Sequence, residues 1–235
     1  MFNQKLYFQK TPWTWNHVLP LLFMIFVLVP FFIEYLLKQY LTESFRNDLY
    51  AGTLSGLIMA IIFTVSLYLI AIKPLNINWS DVGIRRFKTN YWLPIVGWTL
   101  GVIIASILIV ILMDLFINVS TENSKTESLR SQLNIFTFFT GFISAAVISP
   151  LYEELFYRGF LYRFFRNKYG MTGGLFISSF IFMLVHIPTF NTLPVNLITG
   201  LVFAWTYEKT GSIWPGVIIH GTFNGIAIIL TALGS

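Results

Sequence analysis

The strongest constraint on this chain is the run LPLLFMIFVLVPFFIEYLL, residues 19–37, together with the six apolar segments that follow it. A helix needs about 20 mainly apolar residues to cross the hydrocarbon core of a bilayer. The apolar segments read as 19–37, 54–72, 92–117, 136–163, 175–187, 193–207 and 213–233. Composition agrees: 56% of residues are hydrophobic and 11% are charged, against about 25% charged in soluble domains. The expected fold class is all-α, a polytopic transmembrane helix bundle of about seven spans, with eight as the alternative. The fifth and sixth segments are short, as expected of tilted, broken or partly re-entrant helices facing protein or a wet cavity. The fourth is long, and Arg163, Arg166 and Lys168 are expected to carry its last turns into water.

The polar, Asn- and Ser-rich stretches KPLNINWSDVGIRRFKTN and NVSTENSKTESLRSQLN read as linkers. No internal repeat separates the chain into halves. It reads as an interfacial lead-in over 1–18, carrying Trp13 and Trp15, and one transmembrane domain over 19–235. Lys5 and Lys10 precede the first run as in a signal peptide, but the run is too long for a cleaved segment and no small-residue cleavage site follows it. A retained first span is expected.

With seven spans, 11 of the Lys and Arg residues fall on the N-terminal side: Lys5, Lys10, Lys73, and those at 85–88, 158–168 and 209. Four fall on the other side: Lys38, Arg46, Lys125 and Arg130. The positive-inside rule then puts the N-terminus in the cytoplasm of an integral plasma membrane protein. The net charge of +5 has this membrane explanation, and no reading motif supports a nucleic-acid partner. With no cysteine in the chain, disulfides, thiolate nucleophiles and cysteine metal sites are excluded.

Three apolar segments carry residues that are costly in lipid, about 2.5–3.5 kcal/mol for a charge near the bilayer centre. In SPLYEELFYRGF, Glu154 and Arg158 are four apart and share a helix face, while Glu153 lies about 100° round. A packing ion pair needs one carboxylate; here there are two. In SSFIFMLVHIP, Phe182 and His186 are four apart; a histidine at a helix end is as often a capped residue as a working one. In IIHGTFNG, His220 and Asn224 are four apart, and Asn224 alone could be interhelical glue. Placed on helices rising 1.5 Å per residue, Glu153, His186 and Asn224 lie at similar depths, roughly 20 Å from the same side, with His220 roughly 11–14 Å in.

The set suits hydrolysis by an activated water. Glu153 in a low-dielectric site would be the general base, with His186 sharing the water. His220 and Asn224 would donate hydrogen bonds to a developing oxyanion, each worth roughly 3 kcal/mol. Arg158 would hold Glu154 charged. Zinc is the competing use, with Glu154, His186 and His220 as its ligands; no H-E-x-x-H helix is present, and metal-free chemistry with no cofactor is preferred.

The ordered motifs Glu153-Glu154-x-x-x-Arg158, Phe182-x-x-x-His186 and His220-x-x-x-Asn224 resemble the signature of the CAAX protease and bacteriocin-processing (CPBP, or Abi) family, which includes the type II CAAX prenyl endopeptidases. The resemblance covers residues 136–230, the expected catalytic core, and TGSIWPGVIIHGTFN looks like the family's closing segment. It implies a membrane-embedded endopeptidase, with Glu153 and His186 activating water and His220 and Asn224 at the oxyanion. The family is described both as metallopeptidases and as glutamate-type peptidases. The expected partners are the bilayer and a peptide or membrane-protein substrate. The alternatives are a non-catalytic immunity or regulatory protein that binds a peptide with the same fold, and a small transporter, which the missing repeat disfavours.

Overall fold

The computed structural model describes residues 7–8, 10–117 and 134–233. The linker expected at 118–134 lies outside the described residues except for Asn134, as do Lys5, Lys125 and Arg130 of the charge count. The chain forms helices α1 (Trp15–Phe45), α2 (Asp48–Leu75) and α3 (Thr89–Phe116). A helical run, Ile135–Leu184, follows; it is broken at Gly170, where φ is 75° and ψ is 179°. The break divides it into α4 (135–169) and α5 (171–184). Then come α6 (Leu193–Thr210) and α7 (Trp214–Leu233). Among the described residues there is no strand.

The all-α class holds. Among the described residues, five stretches are long and apolar enough to cross a bilayer: α1, α2, α3, the α4–α5 run and α7. That is fewer than the seven crossings expected from the apolar segments, because α5 continues the α4 run and α6, with Asn196, Glu208 and Lys209 among its 18 residues, is less apolar. Local chemistry fixes the ends. Asn47 accepts a hydrogen bond from the Tyr50 amide to start α2, and Asn134 accepts from the amides of Phe136 and Thr137 to start α4. Gly170 takes a left-handed φ that only glycine adopts without strain, and so turns α4 into α5. Gly211, also at positive φ, closes α6.

α4 is the axis of the bundle. From Glu154 to Tyr162 every residue is buried, so this stretch has no lipid face. Phe156 packs on Phe63 of α2 with ring centroids 4.9 Å apart, Tyr157 on Phe182 of α5 at 5.1 Å, Phe160 on Trp13 at 4.9 Å, and Tyr162 on Tyr207 of α6 at 5.8 Å. The helix winds in the wider π form over Ser144–Ile148 and again over Glu154–Tyr162, a distortion frequent at functional sites. The outer helices carry their large side chains outward: Leu93, Ile104, Leu108, Leu112 and Phe116 of α3 are exposed. An apolar surface of this kind suits lipid and would not stay monomeric in water.

Two details differ from expectation. Trp13 is buried, and its Nε1 donates to the Ala71 carbonyl at 2.8 Å; it belongs to the core and does not lie along the interface. The end of α4 does not project into water at Arg163. That side chain is buried, and it donates to three carbonyls: Tyr7 at 3.1 Å, Lys10 at 3.0 Å and Asp81. Its guanidinium lies 3.9 Å from the centroid of the Tyr7 ring. Burial pushes the Tyr7 phenol above its ordinary range, so it remains a donor to the Asp81 carbonyl at 3.0 Å. One turn on, Arg166 bridges to Glu208 of α6 at 3.0 Å. The N-terminal segment, the loop after α2 and the ends of α4 and α6 thus meet at one end of the bundle. Only Arg's planar fork reaches three carbonyls at once. Arg163→Ala is expected to lower stability by about 3 kcal/mol, with Arg163→Lys in between, as a fall in thermal unfolding midpoint of the protein in nanodiscs.

Candidate active site

The site forms where α4, α5, α6 and α7 meet, and its base is an ion pair. Glu154 Oε1 accepts from Arg158 Nη1 at 2.8 Å, and neither side chain is more than 1% exposed. The i, i+4 spacing brings the two together on one face, as read from the sequence. Arg158 also donates from Nη2 to the Gly200 carbonyl of α6 at 3.3 Å. Its guanidinium lies 4.3 Å from the ring centroid of Phe182 and 5.1 Å from that of Phe203. A cation between two aromatic faces, out of water, gains about 2 kcal/mol or more from ring attraction.

Glu153 points away from this pair. Ser149, one turn earlier on α4, donates its hydroxyl to Glu153 Oε1. The other oxygen, Oε2, lies 3.9 Å from His220 Nε2. Glu153 is 14% exposed where Glu154 is 0%, so of the two carboxylates only Glu153 can be reached.

His220 of α7 stands between them. Its Nδ1 is 3.3 Å from Glu154 Oε1. A carboxylate paired with arginine only accepts, so Nδ1 carries the proton and Nε2 is turned to Glu153. Phe203 stacks on the imidazole, centroids 4.8 Å apart and planes at 20°, fixing the ring plane. Gly216 allows this approach of α7, since a Cβ there would lie 2.7 Å from Glu154 Oε2.

His186, just beyond the end of α5, pairs Nδ1 with the Phe182 carbonyl at 2.7 Å. A carbonyl only accepts, so the Nδ1 proton is fixed and the neutral ring presents Nε2 as an acceptor. Phe182 is the hub: its ring centroid is 4.9 Å from that of His186 and 5.9 Å from that of His220. Asn224 donates Nδ2 to the Ala145 carbonyl at 3.0 Å, tying α7 to α4. Direct contacts therefore join Glu153, Glu154, Arg158 and His220; Phe182 brings His186 to the rim, and Asn224 lies one turn beyond His220 on the same helix.

Among the described residues no three His, Asp or Glu side chains gather to hold a metal. Of the zinc set considered above, Glu154 Oε1 is engaged by Arg158, and His186 Nδ1 by a backbone carbonyl.

Residues 135–226 match the family model described as type II CAAX prenyl endopeptidase Rce1-like. The matched residues lie within the C-terminal half of the chain. That span contains all three motifs, so the resemblance they carry is shown there. Among curated proteins, the chain is similar to the UPF0177 protein YbdI of Lactococcus lactis subsp. lactis (strain IL1403), 29% identical over 155 residues, covering 61% of this chain and 81% of that protein. It is similar to the membrane-embedded CAAX protease MroQ of Staphylococcus aureus (strain USA300), 27% identical over 187 residues, 75% of this chain and 73% of that one. A third relative is a UPF0177 protein in the abiGi 5' region of Lactococcus lactis subsp. cremoris, 27% identical over 110 residues, 47% of this chain and 46% of that one. No solved structure matches the chain.

Three neighbours of the Rce1-like motifs escaped the sequence reading. Ser149 stands four residues before Glu153, a spacing that could have marked it among the scattered serines. Phe203 and Gly216 carry no polar signal. Removing one member of a buried ion pair leaves the other uncompensated, at about 3–5 kcal/mol. Arg158→Met is expected to destabilise by that amount, and Glu154→Gln with Arg158→Met by less than either charge change alone, read as unfolding midpoints in nanodiscs.

Proposed function

We propose that this chain is an intramembrane endopeptidase that hydrolyses a peptide bond with a water activated by Glu153. One observation carries the reading: of two adjacent carboxylates, one is neutralised by Arg158 at full burial, and the other is partly exposed with an oxygen turned toward a histidine. The Rce1-like match and the relative named as a CAAX protease support the reaction class.

The 3.9 Å between Glu153 Oε2 and His220 Nε2 exceeds a direct hydrogen bond and suits one water touching both groups. In the reaction, Glu153 takes a proton from that water and the oxygen attacks the scissile carbonyl carbon. The resulting tetrahedral oxyanion is met by Asn224, which keeps a second Nδ2 hydrogen beyond the one given to Ala145, and by His220 when its Nε2 is protonated. On collapse the C–N bond breaks, and the proton held by Glu153 passes to the departing amine. His186, its acceptor nitrogen set by the Phe182 carbonyl, shares in orienting the water. Glu154 and Arg158 act as the fixed charges that hold His220 in its tautomer. No step in this scheme is routed through a metal.

α5 and α6 are proposed as two short crossings packed around the site, giving seven in all, with residues 1–18 and the clustered Arg and Lys residues on the cytoplasmic side of the plasma membrane. The substrate class is a peptide precursor or the tail of a membrane protein.

In proteoliposomes the purified protein is expected to cleave members of a quenched-fluorescent peptide library. Glu153→Gln is expected to lower kcat roughly 100- to 10,000-fold, and His220→Ala and Asn224→Ala to cost several hundred-fold or less, about 3 kcal/mol per donor. Activity should survive chelation. Full activity in Glu153→Gln would remove the base, and loss on chelation with recovery on added zinc would replace the metal-free mechanism.

A further inference from the structure

We infer that Ser149 is a positioning residue for the reaction, and that it selects Glu153 Oε2 as the oxygen that takes the proton. This rests on the peptidase reading above. A hydroxyl inside a helix ordinarily turns back to the carbonyl four residues earlier. Thr99, Thr140, Ser178 and Thr231 all do so here, donating to Ile95, Phe136, Gly174 and Ala227 at 2.8–2.9 Å. Ser149 does not: its hydroxyl donates forward, to Glu153 Oε1. It sits at the first position of the α-helical turn Ser149–Glu153, followed by Pro150, between the two π-wound stretches of α4.

The consequence falls on the geometry of one carboxylate. Glutamate has three rotatable side-chain bonds and, without a partner, presents either oxygen. With Oε1 held by Ser149, rotation about the last bond stops and Oε2 is left facing His220 Nε2. The two faces of the site then rest on two hydrogen bonds of the same kind. Ser149 sets the base, and Glu154 sets the imidazole opposite it through Nδ1. A water between them meets one defined oxygen and one defined nitrogen. Holding reacting groups in a single near-attack arrangement is a large part of what a site contributes to rate.

A positioning role predicts a particular kinetic pattern in proteoliposomes on whichever library peptide the wild type cleaves. Ser149→Ala keeps good helix propensity and is expected to leave the unfolding midpoint and KM unchanged while kcat falls about 10- to 100-fold, the range for losing a hydrogen bond to a charged group. Ser149→Thr, which retains the hydroxyl, is expected to restore most of kcat. In the Glu153→Gln background, Ser149→Ala should have no further effect, since both changes act through one group. Unchanged kcat in Ser149→Ala would overturn the inference. So would a loss as complete as that of Glu153→Gln without recovery in Ser149→Thr, which would make the serine the attacking group. If the wild type cleaves no peptide, it is the peptidase reading that fails, a result distinct from both.

Discussion

The Glu154–Arg158 pair is the interaction on which the rest of the structure depends. Both groups are removed from water, and a buried pair is costly to the extent that its remaining donors and acceptors lack partners. Among the described residues Glu154 Oε2 and Arg158 Nε have no hydrogen-bond partner, and the other atoms of the pair are held by contacts. Arg158 finds Gly200 of α6, Phe182 of α5 and Phe203 of α6. Glu154 finds His220 of α7. One salt bridge thereby recruits a contact from every helix after α4. Lipid supplies no hydrophobic force to drive helices together, so polar contacts of this kind and close packing have to fix their arrangement. The same charges that assemble the bundle also set the tautomer of its histidine.

The adjacency of the two glutamates has a further effect. Neighbouring residues on a helix face directions about 100° apart, so a single turn of α4 serves two environments. Glu154 turns inward to structure, and Glu153, partly exposed, turns toward Ser149 and His220. Separating the two roles by one residue lets the supporting pair be fully desolvated without burying the base.

Much of this was legible in the sequence, because helical spacing in an apolar segment is nearly deterministic. The Glu154–Arg158 contact and the different direction of Glu153 follow from i, i+4 arithmetic and the cost of charge in lipid, whereas counting depth along straight helices set His220 off the level of the glutamates it meets in the fold. What was not legible depended on tertiary packing. Phe203 is one phenylalanine among 24, and only the fold puts it on His220. Arg163 looked like the start of a watery end, since a cation after an apolar run usually is one. It is buried because three carbonyls from distant segments converge on it. α5 runs on from α4 through the turn at Gly170, and α6, 18 residues long, carries Asn196, Glu208 and Lys209, so neither stands out by hydropathy as a crossing of its own. Asn224 was read for the oxyanion, and the bond it makes in the fold runs to the Ala145 carbonyl.

The clamp at Arg163 also says something about the order in which the protein is made. Arg163 bonds the Tyr7 carbonyl across 156 positions of sequence, and Trp13 closes against Phe160 in the same place. Helices enter the membrane from the N-terminus as they are synthesised, so α1 is inserted long before its partner on α4 exists. Trp13 and Tyr7 can meet Ala71 of α2 and Asp81 of the loop after it early on, but the clamp that joins them to the core is closed only when the end of α4 emerges.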